Sequence, residues 1–246
     1  MKYENVVSGK FISRPNRFIA HIEIDGKEEI CHVMNTGRMK ELLLPGAEVF
    51  LCPAKNPERK TKFDLIGVRR SDGEIINIDS IAPNKVAGEY VKSLFPEAKL
   101  IKPETFFEKS RFDFYIEDNS DKIFLEVKGV TLNIDGEARF PDAPTERGAK
   151  HLYELIEAKK QGFRACVLFV IAMKGCESFA PNAATDPKFA VFKQNKQPIQ
   201  NAIRSAGQGK YGQVCQIQCV LIGISVGFHR TRPLLCQLHT FCTIEA

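Results

Sequence analysis

Two acidic residues and a lysine on neighbouring predicted strands carry the clearest chemical signal in this sequence. Asp113 lies within residues 110–116, and Glu126 and Lys128 lie within residues 123–128. Because strand side chains alternate between faces, Glu126 and Lys128 point the same way. A hairpin with a loop of two or four residues in the polar segment between these runs places Asp113 directly opposite Glu126.

Two opposed carboxylates repel each other, so a compensating positive charge is expected beside them. Lys128 is one candidate and a bound divalent cation is another. Carboxylates on strands suit Mg²⁺, which takes one or two of them together with water and substrate phosphate. Such a metal activates water for phosphodiester hydrolysis, and Lys128 could orient that water or stabilise the developing negative charge. The alternative is a solvated hairpin in which Glu126 and Lys128 form a surface pair worth less than about 1 kcal/mol.

The elements around this hairpin predict a mixed α/β domain. Polar and apolar residues alternate at helical or strand spacing, and one continuous apolar strand indicates a sheet buried on both faces. The predicted helices are residues 85–95 and 145–161, and the predicted strands are 104–107, 111–117, 122–130 and 165–173. This order resembles the PD-(D/E)xK nuclease superfamily, in which the helix before the hairpin often supplies a further carboxylate. Glu89 is the best candidate for that ligand, with an exposed helix acid as the alternative.

Residues 1–82 read as short strands separated by turns, which favours a small closed β-barrel. Such barrels bind nucleic acid through basic residues and stacking aromatic rings. Among the basic residues, Arg38, Arg59 and Lys60 are predicted to contact DNA. The aromatic candidates for stacking are Phe11, Phe18 and Phe63, for which core packing remains the alternative.

The second predicted helix begins in a segment suited to phosphate. Thr145 can cap the helix, and helix N-termini favour anions. Arg147 is predicted to bind a phosphate of DNA, with an exposed arginine as the alternative. His151, further along, is predicted to be a polar surface residue rather than a catalytic base.

Longer motifs resemble those of the SfsA (sugar fermentation stimulation protein) family, in the same order. They are Asn35-Thr36-Gly37-Arg38-Met39, Arg59-Lys60-Thr61, Ser110-Arg111-Phe112-Asp113-Phe114, Glu126-Val127-Lys128, residues 140–148 and residues 178–182. The resemblance covers residues 1 to about 190. It implies an OB-fold N-terminal domain, a restriction-endonuclease-like α/β domain over residues 83–190, and DNA binding with low sequence specificity. The family's name adds an expected regulatory role in sugar (maltose) metabolism.

Composition sets broad limits on function. The 246 residues carry a net charge of +5, which is compatible with DNA but does not require it. No run is apolar enough for a membrane span and no signal peptide is evident, so a cytoplasmic location is expected. The sequence favours DNA binding, with Mg²⁺-dependent nuclease activity through Asp113, Glu126 and Lys128 as the alternative and an RNA-directed role as a weaker one.

Residues 191–246 depart from this pattern. Glu245 is their one acidic residue, although the whole chain has 30. Four of the eight cysteines also fall in this segment. We interpret it as an atypical tail produced by a reading-frame shift near Val191, with a genuine extension as the alternative. The apolar run of residues 219–226 is predicted to form at most a fortuitous strand.

Overall fold

The computed structural model describes residues 1–187 and the backbone of a strand at Gln218–Gly223. The N-terminal part is the predicted OB-like barrel. Its strands run in the order β3-β2-β1-β4-β5-β6, and a parallel pairing of β3 with β5 closes the barrel. These strands are β1 (Val7–Ser13), β2 (Ile19–Ile24), β3 (Lys27–Val33), β4 (Glu48–Pro53), β5 (Phe63–Arg69) and β6 (Ile75–Asn77).

Turn chemistry and alternation explain the β2–β3 hairpin. Asp25 and Gly26 both have positive φ, at 50° and 74°, as a two-residue hairpin turn of this kind requires. Ala20 and Ile22 on β2 are fully buried and form part of the barrel core. On β1, a Cβ at Gly9 would lie 2.7 Å from the Glu23 carbonyl oxygen, so glycine permits the close approach of β1 to β2.

The second domain is a mixed α/β domain, as predicted. Its main sheet has the strand order β14-β12-β9-β8-β7, and a smaller sheet has the order β10-β11-β13. Among the described strands of the main sheet, only β9 and β12 pair in parallel, and helix α2 provides the crossover between them. The elements are α1 (Ala82–Leu94), β7 (Ala98–Phe107), β8 (Ser110–Asp118), β9 (Asp121–Val130), β10 (Leu132–Ile134), β11 (Glu137–Phe140), α2 (Glu146–Lys160), β12 (Arg164–Ile171), β13 (Ser178–Pro181) and β14 (Gln218–Gly223).

Strand β12 confirms that the main sheet is buried on both faces. Its residues alternate between two apolar clusters. Val167 and Phe169 belong to the cluster that contains Leu155 of α2, whereas Leu168 belongs to the cluster that contains Tyr90 of α1. One helix therefore covers each face, which explains the uninterrupted apolar sequence of the strand.

The barrel and the second domain share one hydrophobic core. A single cluster contains Ile22 of the barrel together with Phe112 and Phe169 of the second domain. The backbone N–H of Asn77, at the end of β6, donates to the Ala172 carbonyl oxygen at 3.0 Å. These contacts fix the orientation of the barrel relative to the carboxylate hairpin.

The predicted tail contributes one described element. Strand β14 pairs antiparallel with β12 at the sheet edge, with Leu221 opposite Leu168. The rest of residues 191–246 lies outside the described residues, so the reading-frame interpretation remains a prediction. Within the described part of the chain, no helix is long and apolar enough to cross a membrane.

Candidate functional site

The β8–β9 hairpin has the register predicted from its turn. Asp118 pairs with Asp121 across a two-residue loop, and the ladder continues to the pair Phe114–Leu125. The next position along β8 is Asp113, where the ladder ends. Beyond this point the Val127 N–H has a side-chain acceptor, since it donates to Asp113 Oδ2 at 2.7 Å. Asp113 is thereby held beside the strand that carries Glu126.

Helix α1 fixes the other oxygen of Asp113. Asn84, in the first turn of α1, donates its Nδ2–H to Asp113 Oδ1 at 2.6 Å. Burial, and then the nearby charge of Glu126, raise the pKa of Asp113 above its usual value despite these two hydrogen bonds. Sequence reasoning missed Asn84, although its place directly after Pro83 at the helix start was the available signal.

Glu126 is almost completely buried, at 3% exposure, and its Oε1 has two partners. Lys128 Nζ donates to Oε1 at 2.6 Å, and His151 Nδ1 lies 2.5 Å from the same oxygen. Burial alone would raise the pKa of Glu126, but the His151 hydrogen bond and Lys128 outweigh it and the net pKa is lowered. Because the carboxylate is then ionised, His151 Nδ1 must be the donor.

The prediction that His151 is a surface residue was wrong. Its side chain is on the buried face of α2 at 9% exposure, edge-on to the Phe112 ring at a centroid distance of 6.2 Å. The available signal was spacing, because His151 precedes the buried Leu155 by four residues and therefore shares its helix face. The structure thus adds His151 to the predicted group of Asp113, Glu126 and Lys128.

The second oxygen of Glu126 gives a test of whether a metal fits. Oε2 is buried and has no hydrogen-bond partner among the described residues. An ionised oxygen without a partner is costly, and a divalent cation would satisfy it. Asp113 and Glu126 would hold such a cation. The described residues contain no group of three His, Cys, Asp or Glu suited to a metal, so water or substrate oxygens would complete the coordination.

Glu89, the predicted third carboxylate, has a different partner in the structure. Its Oε2 instead accepts a hydrogen bond from the Met1 amino group at 2.7 Å, and half of its side chain is exposed. Glu89 lies five residues after Asn84, which turns it by about 140° around the helix axis. In the structure Asn84 is therefore the α1 residue that contacts the hairpin, and the assignment of Glu89 as a metal ligand stays a prediction.

The predicted DNA-contacting residues fall into two classes. Arg38, Lys60 and Arg147 are exposed. Arg59 is half-buried, and its guanidinium already has intramolecular partners. It binds both Asp64 carboxylate oxygens, at 2.8 and 3.2 Å, and also two backbone carbonyls. Arg59 therefore organises its own loop, and its predicted contact with DNA stays a prediction.

Two loops, one from each domain, meet at Gly37 and Asp142. A Cβ on Gly37 would lie 3.3 Å from Asp142 Oδ2, so the barrel loop that carries Arg38 abuts the segment that leads to Arg147. The predicted cap at the start of α2 is confirmed, since Thr145 Oγ1 accepts the Gly148 N–H at 3.0 Å.

Comparisons with known proteins agree with this architecture. The family model described as the sugar fermentation stimulation protein RE domain matches residues 81–199, and that of the SfsA N-terminal OB domain matches residues 12–78. The sugar fermentation stimulation protein homolog of Clostridium beijerinckii is 57% identical over 191 residues, which cover 77% of this chain and 84% of the relative. The homolog of Desulfitobacterium hafniense (strain Y51) is 56% identical over 202 residues, 81% of this chain and 88% of the relative.

A solved structure extends the similarity to the fold. The structure of Pyrococcus furiosus SfsA in complex with Ca²⁺ has a TM-score of 0.70 and 30% identity to this chain, and the match covers 78% of this chain and 83% of that one. Both domains and the carboxylate hairpin fall within the matched family models. The chain is therefore a member of the sugar fermentation stimulation protein family.

Proposed function

We propose that this protein binds DNA with low sequence specificity, mainly through phosphate contacts, and that it acts as a regulator of sugar metabolism. The observation that carries the proposal is the close approach of Gly37 to Asp142, because it joins the barrel loop with the exposed Arg38 to the segment that precedes the exposed Arg147. Arginine suits bidentate phosphate binding. The net charge of +5 favours an anionic partner.

Metal-dependent phosphodiester hydrolysis is the second candidate function. The buried, unpartnered Oε2 of Glu126 favours it, because a protein that only bound DNA would have no need for this arrangement. The relative from Pyrococcus furiosus was solved with Ca²⁺, which like Mg²⁺ is a hard cation that prefers oxygen ligands. When bound, Mg²⁺ would lower the pKa of a water and neutralise phosphate charge. Lys128 would then stand beside the reacting phosphate and stabilise negative charge.

Binding is tested by fluorescence anisotropy with labelled oligonucleotides at several salt concentrations. Affinity should fall steeply with salt and change little among unrelated sequences. Arg38→Ala and Arg147→Ala should each weaken binding to all sequences alike and lower the salt slope by about one. Arg111→Ala is the matched control, since Arg111 is exposed on β8 beside Glu104. A loss confined to particular sequences would contradict the proposal.

The metal site is tested by calorimetry and by cleavage assays with Mg²⁺, Mn²⁺ or a chelator. Asp113→Asn and Glu126→Gln should abolish metal binding and any cleavage while DNA binding through the barrel persists. Lys128→Ala should retain metal binding and lose only the chemistry. Unchanged metal affinity in both carboxylate variants would exclude this pair as the site, and metal binding without cleavage would leave DNA binding as the function.

A further inference from the structure

Phe18 stands apart from the other aromatic residues proposed for stacking. It ends the turn between β1 and β2, and its side chain is 55% exposed. Phe11, in contrast, is buried at 4% exposure, and Phe63 packs against the core. A single exposed phenylalanine is ordinary on a protein surface, so its meaning depends on what surrounds it.

The turn that carries Phe18 is tied to the Arg38 loop by the guanidinium of Arg14. Nη2 of Arg14 donates to the carbonyls of Arg17, at 2.8 Å, and Asn35, at 2.6 Å. Nη1 donates to the carbonyls of Gly37, at 2.8 Å, and Arg38, at 3.2 Å. One half-buried side chain thus joins two surface segments, and the exposed residues Arg17 and Arg38 lie on either side of it.

The same turn holds the backbone of Phe18 rigidly. Asn16 Oδ1 accepts the N–H groups of Phe18, at 2.9 Å, and Ile19, at 3.0 Å. The Phe18 carbonyl accepts the Val33 N–H at 2.8 Å, and Pro15 restricts the turn further. A backbone fixed in this way loses little further conformational entropy when a flat ligand stacks on the ring that it carries.

The charge around Phe18 selects the ligand. Within the described part of the chain, Arg14 forms no ion pair with a carboxylate, since its partners are carbonyl oxygens. Its charge therefore adds to those of Arg17 and Arg38. Three arginines in the segments beside an exposed ring match an anionic strand whose bases are unpaired, because a duplex hides the faces of its bases.

Building on the proposed DNA binding, we propose that Phe18 stacks on an unpaired base of a DNA strand whose phosphates are bound by Arg17 and Arg38. The protein would then prefer single-stranded regions. Sequence preference would remain weak, because every base presents a flat aromatic face.

The natural sequence contains no tryptophan, which makes a direct test possible. In Phe18→Trp, the indole is the one tryptophan reporter, and stacking of oligothymidylate on it should quench its fluorescence. Phe106→Trp is the matched control, since Phe106 is 66% exposed on β7 in the other domain. Its fluorescence should not change when the same strand binds.

Affinity is measured in parallel for a single strand of about 16 nucleotides, the upper size of one OB site, and for the same sequence as a duplex. Phe18→Ala should weaken single-strand binding by about 5- to 150-fold, whereas Phe18→Tyr should retain most of it. Duplex affinity should change less than about twofold, and Phe106→Ala should behave as the unmodified protein.

The outcomes separate this inference from the proposed function. Normal DNA binding by Phe18→Ala, without quenching in Phe18→Trp, overturns the stacking site and leaves DNA binding intact. An equal loss for duplex and single strand also overturns it, and tighter binding of the corresponding RNA overturns the assignment to DNA. If the unmodified protein binds no DNA, both the inference and the proposed function fail.

Discussion

Replacement of His151 tests whether helix α2 holds the buried carboxylate of Glu126 in place. His151→Phe retains an aromatic ring against Phe112 but removes the donor 2.5 Å from Glu126 Oε1. Lys128 then remains as the partner of that oxygen. A hydrogen bond to a charged group contributes about 1.5–3 kcal/mol, so the free energy of unfolding should fall by about that amount.

The expected effect is large enough for thermal unfolding followed by circular dichroism in metal-free buffer. For a protein of this size, about 1 kcal/mol corresponds to about 2–4 °C, so the Tm should fall by about 3–12 °C. Tyr153→Ala, on the exposed side of the same helix, is the control and should shift the Tm by less than about 2 °C. Metal affinity of His151→Phe should fall about 10- to 100-fold, as for other residues that orient a ligand.

Two results would refute this reasoning. A Tm within about 1 °C of the unmodified protein would show that the contact between His151 and Glu126 contributes little to the folded state. A normal Tm loss with unchanged metal affinity would show that His151 stabilises the domain without orienting Glu126. His151→Gln, which can still donate a hydrogen bond, should recover part of both losses if orientation is the role.

Three further predictions follow from other contacts. In Gly129→Ala, the added Cβ would lie 2.8 Å from Pro83 Cγ, so the free energy of unfolding should fall by about 1–3 kcal/mol in denaturant titrations. Metal affinity should also weaken, because Asn84 would shift together with Pro83. Gly88→Ala is the control, since its Cβ would lie 3.7 Å from the nearest atom, and it should be neutral or stabilising. Arg59→Ala should lower stability by about 1–2 kcal/mol because it breaks the bidentate pair with Asp64, whereas Arg38→Ala should leave the Tm unchanged. Burial, with smaller contributions from Glu29 and Asp64, raises the pKa of Cys31 to about 12, so the folded state favours the neutral thiol. The free energy of unfolding should therefore decline between about pH 9 and 12, as measured by urea unfolding across that range. The decline should be smaller in Cys31→Ala. An unchanged metal affinity in Gly129→Ala, an unchanged Tm in Arg59→Ala, or a flat pH profile would each contradict its prediction.

Local rules were sufficient for the elements around the site. The hairpin register followed from alternation and a two-residue turn, and the α2 cap followed from Thr145. They failed for β7, whose strand begins at Ala98 rather than near residue 104. Most of its early residues are exposed and Pro103 lies within it, so neither apolar alternation nor strand propensity marks this edge strand.

The missed site contacts are long-range in sequence. Asn84 meets Asp113 across 29 positions, and His151 meets Glu126 across 25. No local pattern specifies such pairs, because they arise from the packing of α1 and α2 on opposite faces of the sheet. The assignment of Glu89 rests on resemblance to related folds, and Glu89 is turned by about 140° around the helix axis from Asn84, which contacts the hairpin.

The shared core has a consequence for how DNA would be engaged. A rotation of the barrel against the second domain would break the bond from Asn77 to Ala172 and expose apolar surface at about 25 cal/mol per Å². Binding should therefore proceed without hinge closure, in a single kinetic phase whose rate rises linearly with DNA concentration. The distance from Phe18 to the carboxylate pair is also fixed by the fold. The affinity of the metal-loaded protein for an oligonucleotide should therefore depend on strand length. It should drop in one step once the strand is too short to reach both Phe18 and a metal held by Asp113 and Glu126.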